Sequence, residues 1–291
     1  MGYAQQEHQM SIRQACIVFN LSISVYYYER KSKPDDDLIA DLLRDLARSH
    51  NQWGFWMMHH VLKRMEHSWN HKKVYRIYCA LKLNRRRKYK KRLPQRIKQP
   101  LVQPLFPNIT WSMDFMQDRL INGQKIRSFN VIDDFNREAL NITLDTSINS
   151  ARVIRELEKL IQWRGVPERI RVDNGPEFIS HALKEWCGSD EKNIELVFIQ
   201  KGKPTQNGYV ERFNRSFREE VLDNYCFDSL IQAKALANAW VWVYNNERPH
   251  SSLGYLTPCD FAQKHAERKT APSFQIDRNK KWSTLVLNAS N

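Results

Sequence analysis

The chain has 291 residues and a formal net charge of +14, with a pI of about 9.6. A positive excess of this size is typical of proteins that bind a polyanion, most often nucleic acid. The five cysteines are scattered without a Cys-x-x-Cys pair, which argues against a disulfide framework and a thiolate zinc site. The sequence begins without an apolar signal region, and no run approaches the ~18 apolar residues of a membrane span. We therefore expect a cytoplasmic protein with no membrane partner.

The N-terminal part has the apolar periodicity of short helices. Residues 11–30 predict two helices around a turn, with Ser22 as the N-cap of the second. We assign residues 1–33 to a partial helix-turn-helix segment. Residues 34–84 predict a helical DNA-binding domain, in which Pro34 and the acidic residues after it open a new helix.

The last helix of this all-α region, predicted over residues 72–83, carries Lys72, Lys73 and Arg76 on its polar face. The second helix of a helix-turn-helix module enters the major groove of DNA, so these three residues are candidate DNA contacts. An ordinary small helical domain has the same pattern, and the sequence leaves both interpretations open.

A basic segment follows, and we assign residues 85–107 to a linker. Residues 85–100, RRRKYKKRLPQRIKQP, have no apolar periodicity. A solvated linker is one interpretation, but the density of charge favours a linker that lies on DNA phosphates, because each such contact releases counterions. The candidate phosphate contacts are Arg85, Arg86, Arg87, Lys88, Lys90, Lys91 and Arg92.

From residue 108 the pattern becomes that of an α/β domain, predicted to span residues 108–265. The alternating segments TWSMDFM, SFNVID and ALNITLD predict three antiparallel strands, after which helices alternate with the strands RIRVD and IELVFIQ. This order predicts a mixed five-stranded sheet flanked by helices, the plan of a ribonuclease-H-like core. Residues 266–291 are assigned to a C-terminal tail.

Three carboxylates stand where such a sheet brings chain segments together. Asp114 lies on the first strand and Asp173 follows the fourth, and in this kind of sheet the ends of these strands lie side by side. Glu211 lies on the helix after the last strand, next to its apolar stripe. We expect the three side chains to converge.

Converging carboxylates repel one another by roughly 1 kcal/mol per pair in water and by ~4 kcal/mol at an effective dielectric constant of 20. A divalent cation removes that cost. Oxygen-only ligands favour Mg²⁺, with Mn²⁺ as a substitute, and two such ions support in-line phosphoryl transfer. The sequence therefore predicts Asp114, Asp173 and Glu211 as ligands of two metal ions.

Neighbouring acids leave alternatives open. Glu219 and Glu220 follow Glu211 on the same segment and are alternative third ligands. Asp133 and Asp134 end the second strand, where capping of the hairpin turn is the common role of Asp. Further candidate DNA contacts lie just before this helix or along it: Lys203, Gln206, Asn207, Arg215 and Arg218.

The segment ERPHSSLGY ends the long helix that follows. Its Arg248 and His250 reach DNA in one interpretation and belong to an ordered, proline-containing turn in the other.

Over about residues 108–263 the chain resembles the catalytic domain of bacterial insertion-sequence transposases of the family numbered three, and it is similar to retroviral integrase. Five ordered segments carry the resemblance: WSMDF, VIDDFNRE, VDNGPEF, KGKPTQNGYVERFNR and YNNERPHSSLGYLTP. The resemblance implies that Asp114, Asp173 and Glu211 are the catalytic triad of acidic residues. The stretch between Asp173 and Glu211 is slightly longer than is usual in the family, and the polar turn CGSDEKN has room for the extra residues.

The resemblance also implies a function, partners and a place in the cell. The function is a metal-dependent DNA transposase that cleaves the 3′ ends of an insertion sequence and joins them to target DNA. The partners are double-stranded DNA of the terminal inverted repeats and of the target, further copies of the chain on paired ends, and an upstream reading-frame protein or fusion. The place is the bacterial cytoplasm, on the nucleoid.

Two other functions are considered. A ribonuclease-H-type nuclease that only hydrolyses would have no need of the helix-turn-helix region and the basic linker. A non-catalytic DNA-binding regulator would have no need of three acids inside their motifs. Both features favour the transposase.

Overall fold

The computed structural model describes residues 6–7, 9–28, 35–84, 101–200 and 204–270. The basic residues predicted at 85–92, and Lys203, lie outside the described residues. Most of the predicted tail lies outside them as well.

The N-terminal part consists of short helices. Ser22 caps the second helix by accepting a hydrogen bond from the backbone of Val25, as the sequence predicts. The third to fifth helices enclose a small core of their own around Ile39, Leu43 and Val74. The helices are α1 (Ile12–Val18), α2 (Ile23–Tyr26), α3 (Asp36–Ser49), α4 (Phe55–Arg64) and α5 (His71–Ala80).

A five-stranded sheet forms the centre of the second domain. Its strand order is β3-β2-β1-β4-β5, with antiparallel pairs among the first three strands and parallel pairs from β1 to β4 and from β4 to β5. The prediction of a mixed ribonuclease-H-like sheet is confirmed. The strands are β1 (Thr110–Arg119), β2 (Lys125–Asp133), β3 (Ala139–Asp145), β4 (Arg169–Val172) and β5 (Glu195–Phe198).

Helices cover both faces of this sheet, so the domain has two apolar cores. On one face α6 (Ser150–Arg164) and α7 (His181–Cys187) pack against residues such as Trp111 and Met113 of β1. On the other face α8 (Gly208–Phe217) and α9 (Leu230–Asn246) pack against Met116. The alternation along β1 therefore turns Ser112, Asp114 and Met116 toward α8.

The chain ends its described part with α10 (Pro258–Thr270). The boundary that we predict at residue 265 lies within the range of this helix. Of the described helices, none combines the length and the apolar character needed to cross a bilayer.

The two domains touch through α4 of the helical domain. Arg64 donates to the backbone carbonyl of Glu247 at 2.8 Å. The ring of His60 stacks on Tyr255, with the ring centroids 4.2 Å apart. The helical domain is thus packed against the end of α9 and the turn that follows it.

Candidate active site

The first two predicted acids meet because β1 and β4 are parallel neighbours. The register pairs Thr110 with Arg169 and Ser112 with Arg171. Continuing that offset along both chains brings Asp114 level with Asp173. The structure thus places these two acids side by side, as the sequence predicts.

Glu211 joins them from the first turn of α8. The pKa of Asp114 is raised to about 6, first by burial and then by the negative charges of Asp173 and Glu211, against the lowering effect of its hydrogen bonds. Burial also raises the pKa of Glu211. Asp173 and Glu211 are therefore close enough to Asp114 for their charges to disfavour its ionised form.

The donor chemistry of this cluster fits a hard divalent cation. All three side chains offer only carboxylate oxygen, the ligand that Mg²⁺ and Mn²⁺ prefer, and a cation would offset the repulsion that raises the pKa of Asp114. Over the described ranges, no three His, Cys, Asp or Glu side chains stand together at metal-ligating spacing. Asp114 is fixed on β1, and Asp173 is held directly after β4 by the amide of Gly175, so we expect ligation to require a movement of Glu211, whose side chain is exposed on α8.

A pair of asparagines, which the sequence analysis does not include among the site residues, orients Asp114. Asn214 donates to Oδ2 of Asp114 at 2.7 Å, and Asn130 donates to Asn214 at 2.7 Å. Asn130 lies opposite Asp114 in the β1–β2 register and is fully buried. A polar residue among the apolar residues of SFNVID is the sequence feature that points to it.

The loop after β4 holds Asp173 through its own backbone. The amide of Gly175 donates to Oδ1 of Asp173 at 3.0 Å, and the side chain of Asn174 donates to the carbonyl of Ile199 at 2.9 Å. A β carbon on Gly175 would lie 3.0 Å from that same Oδ1. The glycine thus permits the close approach of backbone and carboxylate.

Asn207 has a different role from the one predicted. The side chain is 2% exposed and donates to the backbone carbonyl of Met113 at 3.3 Å. A group enclosed in this way cannot contact DNA, so we assign Asn207 to positioning the start of α8 next to Asp114.

The paired acids after β2 serve the fold. Asp133 accepts hydrogen bonds from the backbones of Asn108 and Phe135, which is the capping role that the sequence allows. Burial raises the pKa of Asp133 to about 6. Asp134 is fully buried and pairs with Arg171 at 2.6 Å.

The two alternative third ligands have other partners. Glu220 accepts from the ring nitrogen of Trp240 and from Nε of Arg248, each at 2.9 Å. Glu219 forms an ion pair with Arg215 at 2.8 Å on the exposed side of the segment. Both carboxylates are thus occupied, whereas Glu211 acts on Asp114, which favours Glu211.

The remaining candidate DNA contacts near α8 are partly engaged within the protein. Gln206 accepts from the backbone of Gln200 at 2.8 Å. Arg218 donates to the carbonyl of Gln117 at 2.9 Å. Arg215, paired with Glu219, has 59% of its side chain exposed and is the most accessible of the three.

The candidates on α5 divide in the same way. Lys73 pairs with Asp35 at 2.7 Å, and Arg76 pairs with Asp36 at 2.6 Å. These ion pairs join α5 to the start of α3. Lys72 is exposed, and its backbone amide, not its side chain, bonds to the cap residue Asn70. Among the described residues, Lys72 is the one of these three whose side chain forms no ion pair.

Comparison with known families covers both domains. Residues 105–204 and 192–258 match two families that are both described as Integrase core domain, and residues 34–92 match the HTH-like domain family.

Two relatives cover most of the chain. The chain is 38% identical over 273 residues to the Insertion element IS407 uncharacterized 31.7 kDa protein of Burkholderia multivorans, covering 94% of this chain and 98% of that protein. It is 40% identical over 258 residues to the Insertion element IS476 uncharacterized 39.2 kDa protein of Xanthomonas euvesicatoria, covering 88% of this chain and 73% of that protein.

Among solved structures, the HTLV-2 integrase catalytic core domain in complex with magnesium is 22% identical and covers 54% of this chain and 98% of its own, with a TM-score of 0.45. The long matches to insertion-element proteins and the integrase core family together settle the assignment. The chain belongs to the bacterial insertion-sequence transposases that carry an integrase core domain.

Proposed function

We propose that the protein cleaves the 3′ ends of an insertion sequence and joins them to target DNA, with Asp114, Asp173 and Glu211 as its catalytic acids. The observation that carries the proposal is the meeting of Asp114 with Asp173 across the parallel strands β1 and β4, next to Glu211 on α8. There, burial and the charges of the other two acids raise the pKa of Asp114. Strongly perturbed carboxylates of this kind cluster at functional sites. The family numbered three is the one that the sequence motifs favour.

The three acids would hold two Mg²⁺ ions, with Mn²⁺ as a substitute. When bound there, divalent cations supply positive charge that stabilises the attacking and leaving oxygens of an in-line displacement at phosphorus. Asn214 and Asn130 hold Asp114 in orientation, and the Gly175 amide holds Asp173. Substrate DNA reaches the site from the solvent side of Glu211, because that side chain is exposed.

Binding of DNA is assigned to the basic surfaces. We propose that Lys72 on α5 and Arg215 on α8 contact DNA, and that the basic residues 85–92 of the linker contact phosphates. Changing Arg85, Arg86, Arg87 and Lys88 to Gln should then weaken binding to specific and random duplexes alike and flatten the dependence on salt. We also propose that copies of the chain assemble on paired ends, and that an upstream reading-frame product acts with it.

The test is an assay of 3′-end cleavage and strand transfer on a labelled terminal repeat of the parent element. We expect Asp114→Asn, Asp173→Asn and Glu211→Gln each to abolish both reactions while leaving DNA binding in EDTA largely intact. Activity should require Mg²⁺ or Mn²⁺, and Ca²⁺ should support binding better than turnover because it is larger and takes more ligands.

Each rival function predicts a different result in the same assay. Cleavage without any joined product would indicate a nuclease that only hydrolyses. Specific binding to the terminal repeat without cleavage under any metal condition would indicate a regulator. Full turnover in EDTA would contradict a metal site at these acids.

A further inference from the structure

A basic cavity lies on the far side of α8 from the catalytic acids. Its volume is about 280 Å³, and Arg137, Arg212 and Arg248 line it together with polar residues that include Ser251 and Ser252. Met57 of the helical domain forms part of its wall. None of the described residues around the cavity is acidic.

The charges of these arginines are only partly balanced. Arg248 pairs with Glu220 at 2.9 Å, and both side chains are about nine-tenths buried, so this charge is matched. Asp134 is the acid whose charge acts most strongly on Arg137, but it already forms an ion pair with Arg171 at 2.6 Å. Arg212 is exposed on α8. Arg137 and Arg212 therefore give the cavity a surplus of positive charge.

Arg137 carries the clearest sign of a missing ligand. The residue is only 8% exposed, and its guanidinium lies over the ring of Tyr209 with Cζ 3.5 Å from the ring centroid. Within the described part of the chain, its Nη1 is buried and has no hydrogen-bond partner. Burial lowers the pKa of this guanidinium, because the buried charge loses its hydration. A buried, unsatisfied cationic donor is costly unless an anion meets it.

We propose that this cavity binds one phosphate group, and that the phosphate belongs to the backbone of the DNA on which the catalytic acids act. The second half of this inference rests on the function proposed above. Guanidinium groups recognise phosphate oxygens with paired, charge-assisted hydrogen bonds, and serine hydroxyls at the cavity add further donors.

The geometry of α8 connects the cavity to the acids. Successive residues of an α-helix are about 100° apart around its axis, so Glu211 and Arg212 face different sides of one exposed ridge. Arg215 stands on that ridge, and Asn214 points to Asp114 on the acidic side. A DNA strand that crosses the ridge from Glu211 would bring a neighbouring phosphate to Arg212.

The experiment measures binding of a fluorescent terminal-repeat duplex to the full chain in EDTA over a salt series. We expect Arg212→Gln to weaken binding about tenfold, as the loss of a hydrogen bond to a charged group does. The slope of log affinity against log salt should fall by roughly 0.9 for the one lost phosphate contact. Arg155→Gln is the matched control, because Arg155 is an exposed arginine on α6, across the sheet.

A second pair of variants leaves the arginines in place. Ser252→Asp adds a negative charge at the exposed edge of the cavity and should weaken binding as Arg212→Gln does, whereas Ser252→Asn, which keeps a neutral hydrogen-bond donor there, should weaken binding less. A scan that replaces single phosphates by neutral methylphosphonates should find a position that weakens the wild type and the Arg155→Gln variant but has no further effect on Arg212→Gln.

The source of the phosphate is tested by melting the protein in inorganic phosphate and in chloride at equal ionic strength. Stabilisation by phosphate that Arg212→Gln abolishes, together with the loss of DNA affinity, supports the full proposal. The same stabilisation with unchanged DNA affinity would overturn the DNA backbone as the source and leave a site for free phosphate. If neither quantity responds to Arg212→Gln, there is no phosphate site. Because binding is measured in EDTA, none of these results depends on whether Asp114, Asp173 and Glu211 catalyse the reaction.

Discussion

Asn214 donates a hydrogen bond from Nδ2 to Oδ2 of Asp114 over 2.7 Å, and this bond fixes which way its amide faces. An ionised carboxylate only accepts hydrogen bonds, so the NH₂ group must point to Asp114 and the oxygen must point away. That oxygen accepts from Asn130 at 2.7 Å. The buried amide pair therefore holds Asp114 in one orientation for ligation.

Asn214→Ala should weaken metal binding and activity by roughly 10- to 100-fold, the usual effect of removing a group that orients a metal ligand. The fold should survive at reduced stability, because the change leaves the buried amide of Asn130 without its partner. The measurement is the Mg²⁺ dependence of end cleavage, with Asn246→Ala, a change at an exposed residue of α9, as the control. Unchanged Mg²⁺ dependence in Asn214→Ala would show that Asp114 needs no orienting partner.

The raised pKa of Asp114 predicts a stability that depends on pH. The folded state binds this proton more tightly than the unfolded chain, whose pKa is near 3.8. The stabilising effect of the proton is complete below that value and is lost as the pH rises through about 6. In metal-free protein, Asp114→Asn should therefore be more stable than the wild type above pH 6, by at most about 3 kcal/mol.

Thermal melts in EDTA from acid to neutral pH measure this difference. The melting temperatures of the two proteins should converge near pH 4 and separate up to about pH 6. Asp133 has a similarly raised pKa but is present in both proteins, so its effect cancels. Equal melting temperatures at neutral pH would contradict the effect of burial and of the neighbouring charges on the pKa of Asp114.

The sequence predicts the acidic pair because each acid has a defined position relative to its strand and the sheet plan makes the two strands neighbours. Alternation along TWSMDFM decides the side on which Asp114 lies, and parallel pairing of β1 with β4 carries Asp173 to the same level. The helix stripe of α8 then places Glu211 beside them. The strand and helix steps depend on short-range periods, and the pairing of β1 with β4 follows from the ribonuclease-H-like sheet plan that the sequence predicts.

The partners of buried polar groups could not be predicted in this way. Glu220 is bonded to Arg248, 28 residues further along the chain, and Asn130 to Asn214, 84 residues away. The periodicity of one segment does not predict which residue of the other segment it will contact. From the sequence alone, Glu220 is an alternative third ligand and Asn207 is a candidate DNA contact. The structure shows instead that Glu220 is bonded to Arg248 and that Asn207 is buried against Met113.

Substitutions of the two alternative ligands, Glu219 and Glu220, should differ in their effect on the stability of the protein. Glu220→Gln leaves Arg248 as an uncompensated buried cation, and breaking a buried pair costs about 3–5 kcal/mol. Glu219→Gln removes an exposed pair with Arg215 and should cost less than about 0.5 kcal/mol. Denaturant unfolding of both variants, compared with Glu211→Gln, measures this contrast.

Activity gives the second half of that test. Glu211→Gln should be inactive at wild-type stability, and Glu219→Gln should be active. Should Glu220→Gln be stable but inactive while Glu211→Gln cleaves DNA, the third ligand would be Glu220 and the assignment of Glu211 would be wrong.

Gly175→Ala tests the close approach at Asp173. The added β carbon would meet Oδ1 of Asp173 at 3.0 Å, so the carboxylate has to move by a few tenths of an ångström. Displacements of this size at a reacting centre should lower the rate of end cleavage on the order of tenfold. Gly54→Ala, where nothing lies within 4 Å, is the control and should be fully active. Equal rates for the two variants would show that Asp173 tolerates the shift.

Lys72 and Lys73 are adjacent on α5, and the structure predicts opposite effects for them. Lys73 pairs with Asp35, and Arg76 pairs with Asp36, so Lys73→Ala and Arg76→Ala should each cost about 0.5–1 kcal/mol of stability. Lys72 is exposed, and Lys72→Ala should leave stability unchanged while weakening binding to DNA.

Binding to the terminal repeat and to a random duplex, measured over a salt series beside thermal melts, separates these effects. A groove contact by Lys72 lowers the preference for the terminal repeat, whereas a phosphate contact lowers both affinities and flattens the salt slope. If Lys73→Ala instead loses that preference at unchanged stability, its ion pair with Asp35 must open on DNA. Groove recognition would then extend along α5 from Lys72 to Lys73, as the sequence pattern first indicated.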